Sequence, residues 1–273
     1  MIEIRPMNEQ YIHVRCLHGG PVDPAACQAE MAKDAQPLPP HPWSDETILA
    51  VTAGGARVSE GYSGRAGQEF MREMIRRYGT CAMLAWEDGR VVGQLRFYPL
   101  TIGHLLAKSR PKDLPGAPER FEADPTVLYV QCVMTSRPYF AGRGSGSLGL
   151  YPAQGGAPDL VAEADGTKRY RTAEESGARR GVGQKLVRAL VEWARDHGWK
   201  RIVVHAHADI DFMYGEYGIG GKAFWEKAGF RVTRSHVDRP SDERWRTIVE
   251  AQAREKHMDL DEAWSWYEME CRL

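Results

Sequence analysis

The run from Ala178 to Phe230 constrains this chain more than any other. It opens ARRGVGQKLVRALVEWARDHGWKRIVVHAHAD and closes GGKAFWEKAGF, which reads as a glycine turn, an amphipathic helix, a buried strand and a short helix stopped by glycine. Leu186, Val187, Leu190, Trp193 and Ala194 recur at the spacing of one buried helix face. Gly198 follows in the place where a left-handed residue ends a helix, and Lys200-Arg201 lead into the strand Ile202-Val203-Val204. Gly181 and Gly183 at the helix start leave backbone N–H groups uncovered, and with the positive end of the helix dipole these suit a diphosphate. The dinucleotide fingerprint is absent. Leu186 stands where GxGxxG requires its third glycine, and no long strand runs directly into the turn.

Two pieces of this run, and the order of elements between them, resemble the GNAT superfamily of acyl-CoA-dependent N-acyltransferases. Arg179-Arg180-Gly181-Val182-Gly183 is similar to the family's glycine turn. Ala223-Phe224-Trp225-Glu226-Lys227-Ala228-Gly229-Phe230 is similar to its short helix after the next strand. Two positions depart from the pattern. Ala178 stands where the family prefers Gln or Arg, and Trp225 where many members carry a tyrosine that serves as general acid.

The resemblance implies an α/β (α+β) fold with a mixed, mostly antiparallel central sheet flanked by helices. It implies one domain over residues 1–273, with insertions at about 99–125 and 136–177. It also implies acetyl-CoA as cosubstrate and direct ternary-complex transfer of an acetyl group to a primary amine. By motif position, Gly181 and the backbone amides of Val182, Gly183 and Gln184 would hold the pyrophosphate, with Arg179 and Arg180 adding charge and Phe224 in the same cofactor-binding set. Val133 and Thr135 would pair with the pantetheine arm through main-chain bonds.

The rest of the chain is read from its own pattern. Ile2 to Pro6 alternates and stops at proline, a short first strand. Residues 13–66 are turn-rich, with a short helix expected from Pro24 to Lys33; the segment is either a substrate-facing wall or a surface excursion. Gly67 to Tyr78 is a helix with Phe70, Met71, Met74, Ile75 and Tyr78 on its apolar face. Thr80–Trp86 and Arg90–Tyr98 are two strands joined at Asp88-Gly89, a hairpin signal, with Gly93 inside the second. The proline-rich stretch 99–125 is expected to be a long loop. Thr126–Thr135 is apolar enough for a central strand buried on both faces. The glycine-rich stretch 136–177 is either a lid or a plain insertion. After Phe230 come a strand, a helix capped by Ser241 or Asp242 with Trp245, Ile248, Val249, Gln252 and Ala253 on one side, and a closing strand over 264–273.

Chemistry concentrates in His205-Ala206-His207-Ala208-Asp209-Ile210-Asp211, whose polar residues share one face if the strand's two-residue period continues. One reading is a metal-dependent hydrolase, although Phe212 stands where HxHxDH carries its last histidine. The resemblance gives another: His207 or Asp209 faces the acceptor amine as base or orienting group. The histidines as plain hydrogen-bonded strand residues are a third. Tyr214 and Tyr217 are candidates for protonating the departing thiolate, since a phenol suits that step and the indole of Trp225 does not. Cys132, on a buried strand, reads as packing rather than as a nucleophile.

Bulk properties narrow the surroundings. A net charge of -1 gives no global reason to expect nucleic acid, and no stretch reaches the length of a membrane span. The five cysteines lack a CxxC or regular spacing, and MIEIRPM is not a signal peptide, so a reducing cytoplasm is expected. The expected partner is a small-molecule or peptide amine, with no metal, no nucleic acid and no membrane; a homodimer stays open. A non-catalytic acyl-CoA-binding module remains the third functional class, on account of Ala178 and Trp225.

Overall fold

The computed structural model describes residues 1–12, 17, 21–31, 64–108, 118–135, 160–162, 168–170, 181–210, 212–213, 220–239 and 243–273. Its frame is a seven-stranded sheet. The strands are β1 (Glu3–Pro6), β2 (Ala82–Glu87), β3 (Arg90–Pro99), β4 (Val127–Thr135), β7 (Arg201–His207), β8 (Arg231–Val237) and β9 (Ser265–Arg272). They lie in the order β1-β2-β3-β4-β7-β9-β8. Every neighbouring pair is antiparallel except β4 and β7. This is the mixed, mostly antiparallel sheet that the resemblance implies.

Local sequence accounts for most of these elements. The hairpin between β2 and β3 turns on Asp88 (φ +50°) and Gly89 (φ +74°), two left-handed residues in succession, the geometry that matches the twist of the flanking strands. Helix α2 (Gly64–Tyr78) begins three residues earlier than its apolar pattern predicts and ends at Gly79, φ +85°. Phe70, Met71 and Met74 of α2 pack on one face of the sheet against Leu84, Tyr98 and Met134. The opposite face is covered by the helix Val182–Asp196, numbered α4 below, through Leu186, Val187 and Leu190 against Leu95, Phe97, Val130 and Val204. Full burial of each such side chain contributes about 1.5–3 kcal/mol, so the two helices clamp the sheet from both sides.

The expected helix near residue 24 is α1 (Pro24–Met31). The stretch 99–125 differs from the expected loop. Leu100–Lys108 forms helix α3 and Pro118–Arg120 a single tight turn. Pro99 ends β3 and the later prolines fall after α3. Inside the helix, Leu100, Ile102, Leu106 and Ala107 are buried, which outweighs the proline-rich composition of the segment as a whole. Within 136–177, β5 (Leu160–Ala162) and β6 (Lys168–Tyr170) pair as a separate two-stranded sheet. The rest of that stretch, the segments His18–Gly20 and 36–42, and the capping candidates Ser241 and Asp242 lie outside the described residues.

Between β7 and β8 runs the short helix α5 (Lys222–Glu226), and after β8 come α6 (Glu243–Glu255) and α7 (Leu260–Ala263). β9, last in sequence, lies inside the sheet between β7 and β8. β8 forms the exposed edge, and Arg231 and Arg234 on it discourage further strand pairing.

Candidate active site

β4 and β7 pair at only three positions: Val127 with Arg201, Leu128 with Ile202 and Tyr129 with Val203. Both strands then run on, β4 to Thr135 and β7 to His207, without pairing with one another. A bulge in β4 accompanies the separation. Phe97 of β3 is opposite Val130 and Arg96 is opposite Cys132, so Gln131 is an inserted residue. A bulge bends its strand and increases its local twist. Val127–Val130 are buried, whereas Gln131, Cys132, Val133 and Thr135 are partly exposed. The stretch holding Val133 and Thr135 is therefore the one that β7 leaves open.

The first turn of α4 lies beside this opening. Gly93, the register partner of Thr135, has no room for a side chain: a Cβ there would sit 3.0 Å from Val182 Cγ1 and 3.2 Å from Leu186 Cδ1. Val182 can thus seat directly on β3. Gly181, the residue ahead of the helix, is left-handed (φ +66°) and has no side chain with which to cap it. Its carbonyl accepts from the Lys185 N–H at 3.0 Å, so the amides of Val182, Gly183 and Gln184 belong to the turn that precedes the helical ladder. No acidic residue lies in that turn. Gly183 is inside the helix rather than ahead of it, and a Cβ there would meet Phe224 Cε2 at 2.9 Å. The Gln184 side-chain amide donates to the Phe224 carbonyl at 2.7 Å, tying α4 to α5. Strand order, a parallel central pair that opens, and a glycine-led helix beside the opening together make the layout that the GNAT resemblance implies.

In this frame β7 ends at His207, which is 0% exposed. Its Nδ1 is 2.6 Å from the Ala208 carbonyl, and since a carbonyl only accepts, Nδ1 carries the proton. In the neutral ring Nε2 then holds the lone pair, the tautomer a base requires. Trp266 fixes the ring edge-on at 6.2 Å. His205 is packed elsewhere, between Phe121 at 4.7 Å and Tyr129 at 6.3 Å.

Asp209 does not continue the face of the two histidines, because the strand has ended. Its carboxylate accepts from the Ala223 N–H at 3.0 Å, at the start of α5, and its carbonyl accepts from Lys256 Nζ at 2.8 Å. Among the described residues no three His, Cys, Asp or Glu side chains converge as a metal site. Asp211, Tyr214, Tyr217, Arg179 and Arg180 lie outside the described residues.

Trp225, in the motif's tyrosine position, is fully buried, and its indole N–H donates to the Gly220 carbonyl at 2.9 Å. Phe224 is half-buried and meets Trp225 edge-on. Cys132 is partly exposed, whereas burial pushes the Cys81 thiol up to about 12. The sequence reading does not single out Gln94, Arg96 or Gln131. Their signal is polarity inside strands that are otherwise almost entirely apolar.

No family model matches the sequence, and no curated protein sequence matches it. Among solved structures the chain is similar to an acetyltransferase of the GNAT family from Streptococcus pneumoniae, at 9% identity over 100% of this chain and 99% of that one, TM-score 0.41. It is similar to a ribosomal-protein-alanine N-acetyltransferase from Brucella melitensis, at 13% identity over 99% of each chain, TM-score 0.41. An IAA acetyltransferase from Bacillus cereus is a third, at 12% identity over 100% of each, TM-score 0.37. The activities in those descriptions are those of the named proteins.

Proposed function

We propose that this protein is an N-acetyltransferase that moves an acetyl group from acetyl-CoA to a primary amine of a small molecule or peptide. The observation that carries the reading is the opening between β4 and β7 with the uncapped first turn of α4 beside it. The residues present fit the cosubstrate. Gly181 and Gly183 put no Cβ over the first-turn amides, and the open half of β4 offers extended backbone to an extended arm.

The amides of Val182, Gly183 and Gln184 bind the pyrophosphate, and Arg179 and Arg180, by motif position, add charge. The main chain at Val133 and Thr135 pairs with the pantetheine. Acetyl-CoA supplies an activated carbonyl and a thiolate leaving group. His207 Nε2 accepts the proton that the amine gives up as its nitrogen–carbon bond forms and the carbon–sulfur bond breaks, directly or through a water. Asp209 holds the start of α5, and Tyr214 or Tyr217 returns a proton to the thiolate.

Isothermal titration of metal-analysed protein with acetyl-CoA tests the reading. One-to-one saturable binding without bound metal supports it, and absence of binding overturns it. The buried Trp225 in the tyrosine position favours a second reading, an acyl-CoA-binding module without turnover. Thiol release with a panel of primary amines separates the two. The hydrolase reading has no observation in its favour among the described residues, where the Asp209 carboxylate accepts from the Ala223 N–H.

A further inference from the structure

β3 carries a polar side chain that the core does not account for. Gln94 is 1% exposed, and neither its Nε2 nor its Oε1 has a hydrogen-bond partner. A buried donor or acceptor left unpaired costs about 1–3 kcal/mol, and native cores seldom tolerate one without a reason. Two residues on, and so on the same face of the strand, Arg96 is 4% exposed. Gln94 is flanked in register by Leu84 of β2 and Met134 of β4, and Arg96 by Ala82 and Cys132. Leu84, Ala82 and Met134 belong to the cluster beneath α2, so this is the face opposite α4.

The β4 neighbours decide what this pair of side chains can do. Cys132 and Met134 lie in the half of β4 that β7 has left. Gln131, inserted beside Cys132 by the bulge, also leaves its Oε1 without a partner. Leu17 closes the Met134 side, its N–H 3.1 Å from the Met134 sulfur. Along β4 from the opening, Gln131, Cys132 and Thr135 are partly exposed.

We propose that Gln94 recognises the acceptor, and that the acceptor carries a carboxamide or peptide group next to its reactive amine. The inference rests on the acetyltransferase reading and adds the class of acceptor. An amide places its carbonyl against Nε2–H and its N–H against Oε1, and so satisfies both orphaned atoms of Gln94. A carboxylate satisfies Nε2 alone and sets two oxygens against each other at Oε1. An alkylammonium satisfies Oε1 alone and brings a second positive charge to the buried Arg96. Arg96, about 7 Å along the strand, is a buried positive charge, which disfavours a polyamine.

The test is Gln94→Met, which keeps the volume and removes both polar atoms. Thermal stability is expected to rise, since the orphaned pair is gone. With glycinamide as acceptor kcat/KM is expected to fall at least about tenfold, as for the loss of a buried polar contact. With ethylamine it should stay at the wild-type value, and the KM for acetyl-CoA should not move. An equal loss with both acceptors, or none with either, overturns the proposal, whatever happens to stability.

A second arm needs no turnover. The side-chain amide resonances of Gln94 are assigned by their absence in the variant. They should shift when glycinamide is added and hold still with ethylamine; no shift with glycinamide overturns the proposal. Failure of acetyl-CoA to bind removes the acetyltransferase reading and leaves this resonance test standing.

Discussion

Two glycines differ in what their missing side chain does, and the difference is measurable. At Gly93 a Cβ would touch Val182, Leu186 and Ala85 at 3.0–3.2 Å, so Gly93→Val pushes the start of α4 off β3. It should lower stability by about 1–3 kcal/mol, as overpacked cores do, and weaken acetyl-CoA binding in the same titration. Gly198 has nothing within 4 Å of a built Cβ but holds φ +76°. Gly198→Ala should cost about 1–2 kcal/mol from backbone strain alone and leave acetyl-CoA affinity unchanged; urea unfolding gives both numbers. Cys81 makes a pH prediction of the same kind. Its thiol is raised by burial from 9.0 to about 12, so the folded chain keeps a proton that the unfolded chain loses. The contribution is fully present below pH 9 and declines as pH rises towards 12. Cys81→Ala should flatten that decline in alkaline unfolding curves, and native protein alkylated at pH 8 should show Cys132 modified and Cys81 intact by mass spectrometry.

At the scale of elements, the first turn of α4 and the whole of α5 hold one another through Gln184, Gly183 and Phe224, with Asp209 fixing the start of α5. Asp209 can be a cap or a proton acceptor, and two variants distinguish these roles. Asp209→Ala should destabilise by about 1 kcal/mol, the usual loss for a helix-start acceptor. Asp209→Asn keeps an oxygen for the Ala223 N–H, so stability should recover. If thiol-release activity recovers as well, Asp209 positions α5; activity that stays lost makes the carboxylate itself part of proton transfer. His207→Gln should lower kcat by about a hundredfold, within the range for loss of a general base, with acetyl-CoA affinity retained. His205→Gln, in the separate aromatic cluster, should leave kcat near wild type. Helix α3 teaches a related lesson. Proline content predicts a loop over 99–125, yet the prolines sit outside Leu100–Lys108 and the apolar positions within it find a buried surface.

For the molecule as a whole, β9 is the last segment of the chain and an interior strand of the sheet, hydrogen-bonded to β7 on one side and β8 on the other. Deleting residues 265–273 removes both pairings at once, exposing the His207-bearing strand and detaching β8. The truncated chain should lose its cooperative thermal transition by circular dichroism, and a cooperative transition retained near the full-length temperature would contradict the role given to β9. Much of this architecture is legible in the sequence because it is local. Apolar periodicity places α2 and α4, Asp88-Gly89 places the hairpin, and an unbroken apolar run marks β4 as central. Each depends on contacts within one element or on the backbone preferences of a few residues. The opening between β4 and β7, the turn of Asp209 towards α5, and the orphaned amide of Gln94 are products of strand order, register and one bulge. They bring together groups tens of residues apart, and no spacing in the chain encodes which face of a neighbouring strand a side chain will meet. The sequence by itself determined most of the elements; the tertiary structure alone decided how the strands are ordered and which polar atoms are buried without a partner, because only packing fixes what each buried donor and acceptor finds opposite it.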